Sequence, residues 1–173
     1  MEKYVNADTG IVLYAESFGK PTDRPALLIM GAMNQGVFWP DAFCEELAAA
    51  GFHVVRYDHR DTGKSSSVDF NANPYDLDAL TADALALIHE FKMRNPLIIG
   101  LSMGGYIAQL LAIKHPERVH QLVLISTTAD QRPYMAATMG QSTAGFTLPV
   151  PAQKLLDYIQ SMTEHPPTSS EAV

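Results

Sequence analysis

The sequence predicts an α/β fold: a mostly parallel sheet covered by helices on both faces, opened by an antiparallel hairpin and closing on a sixth strand. Three observations carry this. From Pro25 onward, short apolar branched runs alternate with longer stretches of helical periodicity, the grammar of strand-helix units. Residues 2–18 instead read as two strands about one turn. At 173 residues and 47% hydrophobic, the chain suffices for one sizeable core, and no shift in composition marks a second.

The elements follow in order. Residues 2–8 and 11–18 are strand-like runs, and Asp8-Thr9-Gly10 between them is turn chemistry. Ala26 to Met30 is an unbroken apolar run, as a strand buried on both faces requires. A helix is expected from Val37 to Ala50 and a strand from His53 to Tyr57. Leu77, Leu80, Ala84, Leu87, Ile88 and Phe91 share one stripe of a helix expected from Asp76 to Met93. Pro96 to Ile99 reads as the next strand, Met103 to His115 as a helix stopped by Pro116, and Val119 to Ser126 as the last strand. After Ala129 the pattern loosens into Met, Thr, Gly and Pro, with a helix expected from Ala152 to Thr163 and a polar tail from His165 to Val173. The expected organisation is a core over residues 1–130, then the start of a cap or lid with its tail over 131–173. Met135, Met139 and Phe146 suit an adaptable apolar lid, and equally an ordinary helix pair packing on the core.

Gly100-Leu101-Ser102-Met103-Gly104 joins a strand to a helix through one tight turn and reads as a nucleophile elbow. Three specified positions would match about 0.06 times in a chain of this length, so the flanking strand and helix carry the reading rather than the match. A sharp turn strains the serine backbone and brings the residues two before and two after it into collision, which Gly100 and Gly104 relieve. Ser102 Oγ would then stand exposed at a helix N-terminus, where amide N–H groups and the helix dipole favour a developing oxyanion. The competing reading is a glycine turn that only lets a helix pack closely on a strand. The extra Gly105 and the strand-turn-helix context favour the catalytic one.

Two other loops leave carboxyl ends of strands. Gly31-Ala32-Met33-Asn34-Gln35-Gly36 is the candidate oxyanion loop, with the Ala32 N–H as one donor and the Met103 N–H as the other. The second loop, Tyr57 to Ser66, holds Gly63-Lys64-Ser65, which echoes the end of a phosphate-binding loop but lacks its first glycine and its following helix. Asp58 and Arg60 read as partners that fix this loop. Met33 and His59 are candidate pocket residues, although for His59 a solvated or hydrogen-bonded loop histidine is the stronger reading.

The net charge of −7 and the absence of any run among the twelve basic residues argue against nucleic acid and against an anionic membrane surface. No apolar stretch approaches membrane-spanning length, and Met1-Glu2-Lys3-Tyr4 opens a strand rather than a leader, so a cytoplasmic protein is expected. The lone Cys44 sits in an apolar helical pattern as a packing residue, and neither a metal-ligand cluster nor a cofactor motif is evident.

Leu28-Ile29-Met30-Gly31, Arg56 to Ser65 and Gly100 to Gly104 occur in an order and spacing that resemble the N-terminal part of the α/β-hydrolase family, over residues 1 to 130. The similarity is greatest to the branch containing aclacinomycin methylesterase and proline iminopeptidase-like enzymes, which carry an Asp-x-Arg-x-x-Gly-x-Ser loop. Many relatives have His-Gly where this chain has Met30-Gly31, but a backbone donor needs no histidine. The resemblance implies an acyl-enzyme on Ser102 during hydrolysis of a small-molecule carboxylic ester. It also implies a triad acid and histidine on later strands, on the order of a hundred residues further on. This chain is therefore expected to be truncated after the sixth strand, inactive or weakly active alone, and prone to self-association through an uncovered sheet edge. Asp130, just after that strand, is a weaker acid candidate whose competing reading is a loop aspartate opening the cap. Two alternatives stay open: a proline iminopeptidase-like aminopeptidase, and a non-catalytic hydrolase-like binding module.

Overall fold

The computed structural model describes residues 1–8 and 10–133 and, beyond them, Ala136, Gly145, Gln153, Lys154, Asp157 and Ser161. The chain divides into two units, Met1–Ala129 and Asp130–Val173. The first holds strands β1 (Glu2–Asp8), β2 (Ile11–Phe18), β3 (Arg24–Ile29), β4 (Phe52–Tyr57), β5 (Leu97–Leu101) and β6 (Gln121–Ile125), with helices α1 (Asp41–Ala49), α2 (Leu77–Glu90) and α3 (Met103–Lys114). They form one sheet in the order β1-β2-β4-β3-β5-β6. β1 and β2 pair antiparallel, as do β2 and β4, while β4, β3, β5 and β6 run parallel.

This order explains the layers. From β3 the chain crosses to β4 on one side, then from β4 it crosses back past β3 to β5. Right-handed crossovers in opposite directions put their helices on opposite faces. Alternation along the central strands agrees with this. Leu27, Ile29, Val55 and Ile98 pack with Leu80, Leu87, Ile107 and Leu111 of α2 and α3. Ala26, Leu28, Val54 and Ile99 pack with Trp39 and with Cys44 of α1. The reversal is a topological switch point at the carboxyl ends of β3 and β5, where doubly wound sheets hold ligands. The Gly31 loop and Ser102 leave from those two strand ends.

Several boundaries differ from the sequence expectation. The helix expected from Val37 starts at Asp41, because Gly36–Phe38 forms a separate 3-10 turn and Pro40 takes the N-cap position. Asp76 lies outside α2 as its N-cap, its carboxylate accepting from the Asp78 and Ala79 amides at 3.0 Å each. That helix ends at Glu90 rather than Met93, since Lys92 turns to φ 52°. β5 runs on through Gly100 to Leu101, directly into the turn.

In the second unit Gln153, Lys154, Asp157 and Ser161 are helical, and Gln153 donates to Asp157 Oδ1 at 2.8 Å. Most of the helix expected over 152–163, the tail from His165, and Met135, Met139 and Phe146 lie outside the described residues. Among the described residues no helix is long and apolar enough to cross a membrane.

Candidate active site

Ser102 sits between the last residue of β5 and the first of α3 with φ 52° and ψ −116°, and it is exposed. Positive φ in a non-glycine residue is rare, and a sharp strand-to-helix turn is what requires it here. Its own N–H donates to the Ile125 carbonyl at 2.9 Å, tying the turn to the end of β6, and its carbonyl accepts from the Gly105 N–H at 2.9 Å.

The glycines around it are fixed by close approach of neighbouring atoms, not by preference for flexibility. A Cβ on Gly100 would stand 2.4 Å from the Gly104 carbonyl oxygen. One on Gly104 would stand 2.1 Å from the Ile29 carbonyl oxygen, so α3 begins directly against the end of β3. One on Gly105 would meet the Thr127 side chain at 2.5 Å.

The same closeness brings the loop after β3 to the serine. A Cβ built on Gly31 would lie 3.3 Å from the Ser102 Cβ. Ala32 and Met33 follow, both exposed, Met33 at 94% exposure with φ 63°, and the Ala32 carbonyl accepts from Asn34 Nδ2 at 3.2 Å. Met103 is the first residue of α3, so its amide is among those at a helix N-terminus that lack an intrahelical acceptor. Attack on a carbonyl needs an exposed nucleophile with N–H donors near it; here an exposed serine opens a helix, and Gly31 of the loop after β3 lies close to its Cβ.

The loop after β4 holds these parts in register. The Asp58 carboxylate accepts from the Gly36 N–H at 2.7 Å and from the Lys64 N–H at 2.8 Å. Gly63 at φ 52° leaves no room for a Cβ against that carboxylate. Ser65 Oγ donates to the Asp58 carbonyl at 2.7 Å and accepts from the Tyr14 N–H at 2.9 Å. Buried Arg60 grips buried Asp83 through two bonds of 2.7 Å. Every specified position of the Asp-x-Arg-x-x-Gly-x-Ser loop thus has a structural task. Lys64, the lysine of the phosphate-loop echo, lies 3.0 Å from Tyr14 Oη and 3.5 Å from Glu2, an ordinary surface partnership.

The described histidines fall into clear positions. His53 lies within β4 near its amino end, buried, with burial holding its pKa below the ordinary value. His89 belongs to α2, His115 caps the end of α3, and His120 precedes β6. His59 is 2% exposed, its Nε2 2.9 Å from the Met30 carbonyl oxygen. That bond was not legible in the sequence, since a carbonyl has no residue signature. Asp130, in the second unit, pairs with Arg132 through bonds of 2.8 and 2.7 Å, which hold its carboxyl down at about 2. Burial pushes the Cys44 thiol up to about 11, an inert packing residue. Among the described residues no group of three or more His, Cys, Asp or Glu side chains could hold a metal. A separate cleft of about 770 Å³ is lined by Asp8, Arg60, Asp69, Tyr75 and Asp76, and not by Ser102.

A family model described as alpha/beta hydrolase fold matches residues 25–173. Over 166 residues the chain is 43% identical to a rhodomycin D methylesterase of Streptomyces peucetius, covering 93% of this chain and 55% of that one. Over 122 residues it is 32% identical to 3-oxoadipate enol-lactonase 2 of Acinetobacter baylyi, covering 69% and 43%. An esterase from Exiguobacterium antarcticum shares the fold at TM-score 0.70 and 22% identity, covering 95% of this chain and 57% of that one. The chain spans about half the length of the curated relatives it matches.

Proposed function

The chain belongs to the α/β-hydrolase family, and we propose that it is the nucleophile-bearing part of a serine hydrolase acting on small-molecule carboxylic esters. The observation that carries this is the strained, exposed Ser102 at the β5-α3 turn with Gly31 against its Cβ. Ser102 Oγ attacks the ester carbonyl, the Ala32 and Met103 N–H groups donate to the developing oxyanion, the alcohol departs with the serine proton, and water then cleaves the acyl-serine, releasing the acid and returning a proton to Oγ. Removing either amide from its place costs roughly 10² to 10³ in turnover. Gly100 and Gly104 serve the turn, and Met33 lines the approach to it.

The proposed acid and base lie outside the described histidines and outside Asp130, whose bidentate bonding to Arg132 occupies both of its oxygens. On this reading the described residues, without that acid and base, support only slow turnover. Residues 131–173 are proposed to be the start of a cap or lid region with a polar tail, and β6 to offer a self-association edge. No cofactor, nucleic acid or membrane enters the scheme, and a cytoplasmic setting is proposed with it. Identity to a methylesterase supports the ester class, methyl esters first.

The test is a comparison of substrates on the chain and its Ser102→Ala variant. Slow hydrolysis of carboxylic methyl esters that vanishes in the variant is expected. Faster release from a prolyl anilide would favour the aminopeptidase reading, and equal rates in both proteins would favour a binding module.

A further inference from the structure

Two consecutive residues fasten the Gly31–Gly36 loop at its two ends. Asp58 takes the Gly36 N–H at the far end, and His59 meets the Met30 carbonyl at the near end with Nε2 to oxygen at 2.9 Å. A carbonyl can only accept, so Nε2 carries the proton and, in the neutral ring, Nδ1 keeps a bare lone pair. That Nδ1 has no hydrogen-bond partner among the described residues. The ring is buried and packs edge-on against Tyr57, centroids 5.0 Å apart. Burial lowers its pKa below the ordinary value, against the opposing pull of the Met30 bond and of the Asp83 and Asp58 charges.

A side chain that only filled this space would be apolar, since an unpartnered buried nitrogen gives up its hydration with nothing in return. The Met30 carbonyl is what the imidazole gains. That carbonyl shares a peptide plane with the Gly31 N–H, so fixing it sets where the Gly31 hinge begins. Glycine has the widest backbone freedom, and Ala32 and Met33 after it are exposed, so burial of their side chains does not hold the hinge. The same carbonyl oxygen lies 2.7 Å from where a Cβ on Gly104 would be, which wedges it between His59 and the start of α3.

We propose that His59 is a positioning residue of the oxyanion loop: through the Met30 carbonyl it holds the Gly31 hinge so that the Ala32 N–H points beside Ser102. The proposal rests on the reading of Ser102 and Ala32 given above. Its role is to donate one hydrogen bond, and it takes no proton from the nucleophile.

The test uses the full chain with Ser102→Ala, His59→Phe and His59→Gln. Phe keeps the ring packing and removes the donor; Gln places an amide donor at the reach of Nε2. The readouts are the rate of covalent labelling by a fluorophosphonate and the amide resonance of Ala32. His59→Phe is expected to label about 10²-fold more slowly and to shift the Ala32 resonance, with His59→Gln restoring most of both. Wild-type labelling in His59→Phe, or equal slowing in both variants, would overturn the proposal. Labelling that is absent from the wild type or survives Ser102→Ala would overturn the serine reading instead. In that case the Ala32 resonance decides for His59, and an unmoved resonance sinks it. Should His59→Phe fail to fold, the imidazole nitrogen spectrum of the wild type decides. A protonated Nε2 coupled to the Met30 carbonyl carbon is expected, and the opposite tautomer overturns.

Discussion

Ser102 adopts a backbone conformation that L-residues rarely hold, and the small residues around it are consequences of that choice. Gly104 makes the point quantitatively. Alanine there would gain about 1 kcal/mol of helix propensity. Its Cβ would also stand 2.1 Å from the Ile29 carbonyl oxygen, where only backbone could yield. Overpacking of this kind costs about 1–3 kcal/mol, so Gly104→Ala is expected to lower the urea midpoint and to slow fluorophosphonate labelling as β3 and α3 part. A midpoint at or above that of the wild type would contradict the close approach. Gly100, Ser102 and Gly104 were legible because one turn constrains a contiguous run of residues. The contact of His59 was not, because its partner is a backbone carbonyl 29 residues earlier in the chain.

At the scale of elements, the loop after β4 acts as a brace made of buried polar groups. Arg60 and Asp83 are each almost wholly buried and joined by two bonds, so breaking the pair strands a charge rather than freeing one. Asp83→Ala is expected to cost about 3–5 kcal/mol in chemical denaturation, far more than truncating the surface pair of Lys3 with Glu90. Comparable losses for the two would refute the brace. His53 and His59 add a pH dependence of known sign. Burial is the largest influence on both and lowers them from 6.5, so the unfolded chain binds more protons as pH falls through that value. Stability is then fully present above 6.5 and is lost on the way down to the lowered folded values. The denaturation midpoint is expected to drop between about pH 7 and about pH 5, and His53→Phe to flatten that drop. A level profile across this window in the wild type would contradict it. Element types were legible from periodicity, whereas the start of α1 was not: Val37 and Phe38 continue an apolar pattern although they sit exposed in a turn ahead of Pro40.

Across the six-stranded sheet, the reversal of strand order at β3 accounts for both the layering and the close approach of Gly31 to Ser102. The alternation of strands and helices announced a parallel sheet, but the pairing of β3 between β4 and β5 is a long-range choice without a local signature. The proposed self-association belongs to this scale. Among the described residues β6 pairs with β5 alone, carries no charged side chain, and leaves Val123 and Leu124 41% and 43% exposed. Light scattering on a sizing column is expected to give a species larger than the monomer, and Val123→Lys to shift it toward the monomer. A wild-type monomer at all concentrations would argue against the edge as a contact.

The most direct measurement is peptide mapping of the chain after reaction with a fluorophosphonate. A single phosphonyl adduct on Ser102, with none on the chain's other serines and none after Ser102→Ala, is the expected result. An unmodified, folded chain, or adducts spread over several serines, would contradict the assignment of a nucleophile to the β5-α3 turn.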